Sequence, residues 1–145
     1  MKLSSRTRYG MRAILELAME YGKSPLQIKA IADREDISNK YLEQLIAMLK
    51  AAGLVRSVRG PHGGYTLAKP PAEIRLKEVF LTLEGPIAPV ECLQHTDFCP
   101  RCTDCGTRQI WQELQNAIMG VLESVTLADL VERSIRSKKV ENYTI

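Results

Sequence analysis

Four of the 145 residues form the densest concentration of reactive chemistry in the chain: Cys92, Cys99, Cys102 and Cys105, spaced C-x6-C-x2-C-x2-C, with Pro100 directly after Cys99. Thiolates in such a run are soft metal ligands, and C-x2-C-x2-C is the spacing with which compact loops of bacterial ferredoxins wrap the corners of an iron-sulfur cluster. Paired zinc knuckles would need a long separator between two C-x2-C hooks, and none exists here. A structural zinc ion and a thiol-disulfide switch also fit the spacing. Arg101 and Arg108 flank the run and can lower thiolate pKa values or donate to cluster sulfurs, or can simply be solvated. The two histidines, His62 and His95, lie in glycine-rich and cysteine-rich loops without a nucleophile beside them, so no catalytic constellation is present and the chain reads as a non-enzyme.

A second kind of chemistry lies in the other half. Residues 1–70 carry twelve Lys and Arg against six Asp and Glu, whereas residues 71–145 carry eight against eleven. A polyanion would bind the basic half, while the cysteines sit in the acidic one. In the basic half, Lys40, Gln44, Ala47 and Ala51 fall opposite Leu42, Leu45, Ile46 and Leu49 at 100° per residue, which gives an amphipathic helix whose polar face suits a major groove. The bland alternative is a solvated face. The tip Arg59-Gly-Pro-His-Gly-Gly64 has three glycines, a proline, Arg59, His62 and no acid, as a wing meeting phosphates or a minor groove would.

The elements that position these groups follow from periodicity and punctuation. Ser4 or Ser5 can cap a first helix bearing Tyr9, Ala13, Ile14, Leu17, Ala18 and Tyr21 at helical spacing and ending at Gly22. After Pro25 a short second helix, with Leu26, Ile28, Ile31 and Ala32, ends near Asp36. Ser38 caps a third, with Ile37 and Leu42 at the positions of a hydrophobic staple, and Gly53 closes it. Two short helices joined by three or four residues make a helix-turn-helix. Leu54–Val58 and Tyr65–Ala68 read as strands around the glycine-rich tip, completing a winged helix. Pro70-Pro71 marks a boundary, Leu76–Leu83 forms a short helix stopped by Gly85-Pro86, and the cysteine loop follows. A long helix from about Thr107 to Glu123 places Ile110, Leu114, Ala117 and Val121 on one edge and Trp111, Ile118 and Leu122 on the other, a sector wide enough to face both its own domain and a twin. Thr126 with Asp129 forms a capping box for a last helix near Leu127–Ile135, and the tail from Arg136 to Ile145 is expected to be loosely held.

The fold class expected is therefore mainly α with a small β-hairpin: a winged helix-turn-helix over 1–70, a short helix and cysteine loop over 71–106, and a dimerisation helix, final helix and tail over 107–145. A 45% hydrophobic and 26% charged composition is that of an ordinary globular chain. Arg6, Arg8, Arg12, Glu16 and Glu20 interrupt each apolar run of the first 25 residues, which argues against a signal peptide or membrane span and for a cytoplasmic protein.

Four stretches together carry a resemblance: Met1–Gly10 (MKLSSRTRYG), Ile37–Leu45 (ISNKYLEQL), Val58–Tyr65 (VRGPHGGY) and Cys105–Trp111 (CGTRQIW). They are similar to the IscR/NsrR-like, Rrf-type family of bacterial winged-helix iron-sulfur transcription regulators, along nearly the whole chain. The resemblance implies a homodimeric, cytoplasmic regulator that binds a pseudo-palindromic double-stranded DNA operator and carries a [2Fe-2S] or [4Fe-4S] cluster in the loop before the dimerisation helix. It implies sensing of iron-sulfur, redox or nitric oxide status. It assigns Cys92, Cys99 and Cys105 to the cluster, Ser38, Lys40, Tyr41, Glu43 and Gln44 to the recognition helix, and Arg59 to the minor groove, beside which His62 shares the wing tip. The fourth ligand departs from the pattern. Arg108 stands where IscR-like members have histidine, and Arg8 where NsrR-like members have an acid, and neither coordinates as a cation. Cys102 is the natural replacement, with His95, Asp97 and Asp104 as weaker ones. The other classes that the residues allow are a regulator with structural zinc, a cluster-free thiol switch, and a small iron-sulfur electron-transfer protein.

Overall fold

The computed structural model describes residues 2–97 and 99–143. Its elements run α1 (Ser5–Met19), α2 (Ile28–Glu35), α3 (Asn39–Ala51), β1 (Val55–Val58), β2 (Gly64–Leu67), α4 (Leu76–Leu83), α5 (Gly106–Ser124) and α6 (Leu127–Tyr143), with single 3-10 turns at Pro71–Glu73 and Glu91–Leu93. The class is the expected one, mainly helical with one small hairpin.

Helix α1 begins where a serine can satisfy an orphan amide: the Ser4 hydroxyl accepts from the Thr7 N–H at 3.2 Å. It ends at Met19, short of the expected Gly22. That glycine, at φ +84°, closes the turn that follows the helix. Three residues then join α2 to α3, turning at Asp36 in the left-handed region (φ 54°), after which Ser38 caps α3 by accepting from Tyr41 N–H at 3.1 Å. Leu42, Leu45, Ile46 and Leu49 of α3 are buried, while Lys40, Gln44, Ala47 and Ala51 are exposed, as the helical wheel requires. Burial of each such aliphatic side chain is worth about 1.5–3 kcal/mol, enough to seat a short helix whose other face stays in water.

The hairpin pairs Val55 with Leu67, Arg56 with Thr66, Ser57 with Tyr65 and Val58 with Gly64, so that Val55 and Leu67 enter the core. Leu54 is buried just ahead of β1, and Ala68 lies outside β2, small shifts from the expected strand limits. A two-bond bridge fastens the wing to the chain leading into α2: Leu26 N–H to Tyr65 O at 2.9 Å and Tyr65 N–H to Leu26 O at 2.7 Å. Gly64 sits at this crossing at φ +155°, and a Cβ there would stand 2.4 Å from the Leu26 carbonyl oxygen, so the close approach demands glycine.

The carboxy-terminal half is tied back at one corner. Leu76 N–H donates to Val125 O at 2.9 Å and Leu127 N–H to Ile74 O at 3.0 Å. The expected capping box is present: Thr126 N–H donates to Asp129 Oδ2 at 2.9 Å, and Asp129 N–H to Thr126 Oγ1 at 3.2 Å. Helix α6 continues to Tyr143 rather than stopping near Ile135. Apolar periodicity fades there, but Arg, Lys and Glu are good helix formers and the Glu132–Arg136 pair supports the turn at 2.5 Å. The core draws on α1, α3, α4, the hairpin and the α5–α6 corner, including Leu122, Val125 and Leu127.

One polar network crosses this core's edge. The Glu84 carboxylate, just after α4, accepts from Ser4 N–H at 3.2 Å, from Ser4 Oγ at 2.6 Å and from the hydroxyl of buried Thr7. The Ser4 and Thr7 hydroxyls, then the Ser4 amide and Arg6, hold its pKa below the ordinary value of 4.5. A carboxylate with a lowered folded-state pKa contributes stability that is complete above its ordinary value and is lost as pH falls through the lowered one. Thermal midpoints between about pH 7 and pH 3 should therefore show Glu84→Gln less stable than wild type at neutral pH, with the difference closing in acid. A constant difference across that range would mean the charge is immaterial.

Candidate nucleic-acid interface and thiol loop

The seven residues assigned to DNA fall on two adjoining elements. Ser38 caps α3, Lys40, Tyr41, Glu43 and Gln44 occupy its first two turns, and Arg59 and His62 sit at the wing tip. Ser38, Lys40, Glu43, Gln44, Arg59 and His62 are exposed, and Tyr41 is half-buried. No ion pair or side-chain hydrogen bond among the described residues engages Lys40, Glu43, Gln44, Arg59 or His62, so their polar groups face solvent. The Ser38 hydroxyl accepts the Tyr41 amide, which leaves its own proton to donate to a phosphate. Lys50 and Arg56 extend the exposed cationic surface at the end of α3 and on β1. Behind the wing tip, a hollow of about 340 Å³ opens between Pro61-His62-Gly63 and the start of α2.

The thiol loop is organised at its ends. Cys92 lies in the 3-10 turn Glu91–Leu93 and Cys105 is the N-cap residue of α5, with Cys99 and Cys102 between them; all four are unpaired and partly exposed. Arg108, one turn into α5, reaches back and donates through Nη2 to the Cys92 carbonyl at 3.4 Å, while its Nε is buried without a partner. Gln115 holds the start of the loop by donating to the Ile87 carbonyl. His95, Asp97 and Asp104 are exposed. Among the described residues, no three His, Cys, Asp or Glu side chains lie close enough together to hold a metal ion. The donor chemistry suits a thiophilic metal or cluster, and the donors are not gathered. Cys105 is the exception in electrostatics: its sulfur lies 3.1 Å from Thr107 Oγ1, and that hydroxyl, followed by the Arg108 and Thr107 amides at the helix start, lowers its pKa from the ordinary thiol value.

Helix α5 divides as its sequence suggests. Leu122 is buried and Trp111 and Ile118 are half-buried, whereas Ile110, Leu114 and Val121 on the other edge are 51%, 46% and 62% exposed. Sequence reasoning missed the contacts of Arg108 with Cys92 and of Glu84 with Ser4 and Thr7. Both join residues distant in the chain, and no local pattern marks them. Among the described residues no helix is long and apolar enough to cross a membrane.

A helix pair whose second member is capped by Ser38 and bears free polar side chains, followed by a glycine-rich hairpin tipped with Arg59 and His62, makes this a winged-helix DNA-binding protein. The chain belongs to the Rrf2 family: residues 3–133 match the family described as an iron-dependent transcriptional regulator. Its members are transcriptional regulators rather than enzymes. The chain is 47% identical over 131 residues to protein rrf2 of Nitratidesulfovibrio vulgaris, spanning 90% of this chain and 87% of that one. Its fold is similar to CymR (YrzC), the global cysteine regulator of B. subtilis, at TM-score 0.79 and 41% identity over 92% and 98% of the two chains. It is similar as well to IscR of T. potens, at TM-score 0.76 and 37% identity over 92% and 88%.

The Cys105 environment makes a pH-dependent expectation. In metal-free, reduced protein a lowered pKa exposes thiolate at lower pH, so alkylation of Cys105 by iodoacetamide should rise at a pH below that of an ordinary thiol. Replacing the hydroxyl in Thr107→Val should move the rise upward. Peptide mapping of the labelled protein reads both, and an unmoved profile in the variant would remove Thr107 as the cause.

Proposed function

We infer that the chain is a homodimeric, cytoplasmic transcription regulator that binds a pseudo-palindromic operator and reports iron-sulfur, redox or nitric oxide status through an iron-sulfur cluster. The carrying observation is the set of four unpaired thiols in the loop that runs straight into the cap of α5. Cys92, Cys99 and Cys105 would hold the cluster, with Cys102 as the fourth ligand, because it is tethered two residues from both neighbours and adds little loop-closure entropy. Bound, the cluster would supply iron and sulfide that oxidants or small reactive ligands can attack. The protein's own part is mechanical: Arg108 ties Cys92 to α5, and gathering four thiolates requires the loop to draw in on that helix. The exposed edge of Ile110, Leu114 and Val121 supports assembly with a second copy. A regulator works if loop state changes DNA affinity.

On DNA, Glu43 is a discriminating contact, since a carboxylate accepts from cytosine N4 and repels phosphate; Gln44 suits adenine. Ser38, Lys40, Tyr41, Arg59 and His62 fit the phosphates and the minor groove. Affinity should fall with salt at a log-log slope of about −0.9 per phosphate neutralised. Arg59→Ala should weaken binding to every duplex, and Glu43→Ala should chiefly relax base preference. Failure of a random-sequence selection to enrich any duplex would overturn the reading.

A cluster-free thiol switch is the second reading, favoured by the ungathered thiols; a structural zinc ion would need the same thiols drawn together. Iron, zinc and sulfide content of anaerobically purified protein, with its visible spectrum, separates the readings. Cys92→Ala should lose the cluster, and so should Cys102→Ala. A wild-type spectrum in Cys102→Ala assigns the fourth position to another group, and zinc or no metal in the wild type rejects the cluster.

A further inference from the structure

Tyr41 belongs to the nucleic-acid face, yet its ring is held from behind. It meets the ring of Tyr9 on α1 edge to face, with centroids 6.1 Å apart and planes at 84°. Arg12, one turn further along α1 and on the same face as Tyr9, lies 5.5 Å from the centre of that Tyr9 ring. Its Nε also pairs with Glu35 Oε2 at 2.5 Å, and the Glu35 side chain is only 11% exposed. Arg8 places a second guanidinium 5.8 Å from the Tyr9 ring. Glu35 is the last residue of α2 and Tyr41 lies in the first turn of α3, with only the turn through left-handed Asp36 between them. A single patch of α1 thus grips the chain on both sides of the helix-turn-helix corner. A second tie, Arg34 to Glu16 at 3.1 Å, fixes α2 to α1 a turn away.

The aliphatic stripe of α3 fixes its depth in the core but is non-directional. Edge-to-face rings and an ion pair have preferred geometries, so they constrain the rotation of the first two turns of α3, which carry Lys40, Tyr41, Glu43 and Gln44. Base reading depends on that rotation to within a hydrogen bond. Phosphate contacts by flexible cationic side chains do not.

We propose that Tyr9, backed by Arg12, is a positioning residue for sequence recognition: through Tyr41 it sets the angle of the recognition helix without itself touching DNA. The assignment rests on the reading of α3 as the recognition helix. An aromatic pair of this kind is worth about a two- to tenfold change in an equilibrium. That change is expected in the ratio of affinities for specific and non-specific duplex rather than in both alike.

The test uses the full chain and two probes: the duplex enriched by wild-type protein from a random library, and a scrambled duplex of the same composition. Tyr9→Leu should lower affinity for the enriched duplex by about three- to tenfold while leaving the scrambled duplex and the salt slope unchanged. Tyr9→Phe, which keeps the ring, should behave as wild type, and the losses of Tyr9→Leu and Tyr41→Leu should not add. Equal loss on both duplexes, or no loss, overturns the proposal. So does a Tyr9→Phe variant as weak as Tyr9→Leu with a shallower salt slope, since the hydroxyl would then be touching phosphate directly. Should Tyr9→Leu fail to fold, Arg12→Gln decides: a lowered specific-to-scrambled ratio supports the role, and an unchanged ratio rejects it. If wild-type protein enriches no duplex, the recognition-helix reading fails and takes this assignment with it, whereas enrichment with unchanged ratios in the variants overturns only the positioning role.

Discussion

Everything else in the molecule is arranged around the burial of α1. Ala13, Ile14, Leu17 and Ala18 are nearly or wholly removed from water, and the helix packs at once against α3, α4, α6 and β2. Because close-packed interiors transmit displacement instead of absorbing it, α1 is the reference against which both halves are placed. Its buried side positions the DNA-binding elements from within the core. Its amino-terminal cap is bonded to Glu84 of the other half, and its exposed side carries Tyr9 and Arg12 to the helix-turn-helix corner. Gly10 makes this crowding possible at one point, where a Cβ would meet the Leu83 side chain at 2.5 Å.

The thiol loop follows a different rule. Beyond Ile87 none of its described residues is buried, and its internal order includes short backbone bonds such as Cys102 N–H to Cys99 O at 3.2 Å. What fixes it are bonds to α5 near either end: Gln115 donates to the Ile87 carbonyl at its start, and Arg108, just past Cys105, donates to the Cys92 carbonyl. A segment ordered mainly at its ends can reorganise at small cost, since few packed contacts must break. Cysteine side chains placed on such a segment can be drawn together by a metal or joined by oxidation at little cost in packed contacts.

The division between what sequence reveals and what it hides follows from range. A cap at Ser4 or Ser5, the Ser38 cap, the α3 stripe, the Thr126–Asp129 box and the limits of α4 were all legible, because each depends on residues within about a turn of one another. The far end of α6 was not, because polar i,i+4 pairing and helix propensity extend a helix past the last apolar repeat. Among site residues, the cysteines and the wing announce themselves by spacing and by glycine content. Tyr9 reads from the sequence as one more apolar position on α1, and Glu84 as a charge at a helix end. Their partners, Tyr41 and Ser4, lie thirty-two and eighty positions away, and only folding brings them into contact. Arg108 is the intermediate case, conspicuous as a cation where a ligand would stand, but with its bond to the Cys92 carbonyl visible only in three dimensions.

If the loop acts on DNA, as proposed, its attachments limit the routes. Among the described residues no hydrogen bond joins the cysteines to the winged helix, so a change in the loop would pass through its anchors. At the front anchor the route is short: the loop leaves α4 at Gly85, which is left-handed at φ +88° and adjoins Glu84, and Glu84 holds the cap of α1. At the rear it passes through Arg108 into α5, whose last turn is bonded to the α4 corner by Arg75 Nη1 to Glu123 O at 3.2 Å and Lys77 Nζ to Glu123 Oε1 at 2.7 Å. The two routes have different consequences. A shift at Glu84 would move α1 relative to the core within one molecule, and with it Tyr9 and Arg12, which contact Tyr41 of α3 and Glu35 of α2. A shift along α5 moves the exposed apolar edge; if a second copy docks there, as proposed, it would alter the distance between two winged helices without changing either. Differential DNA affinity needs only one of these, because coupling requires that the two loop states differ in free energy with the recognition surface in place, and either its angle or its spacing can supply that difference.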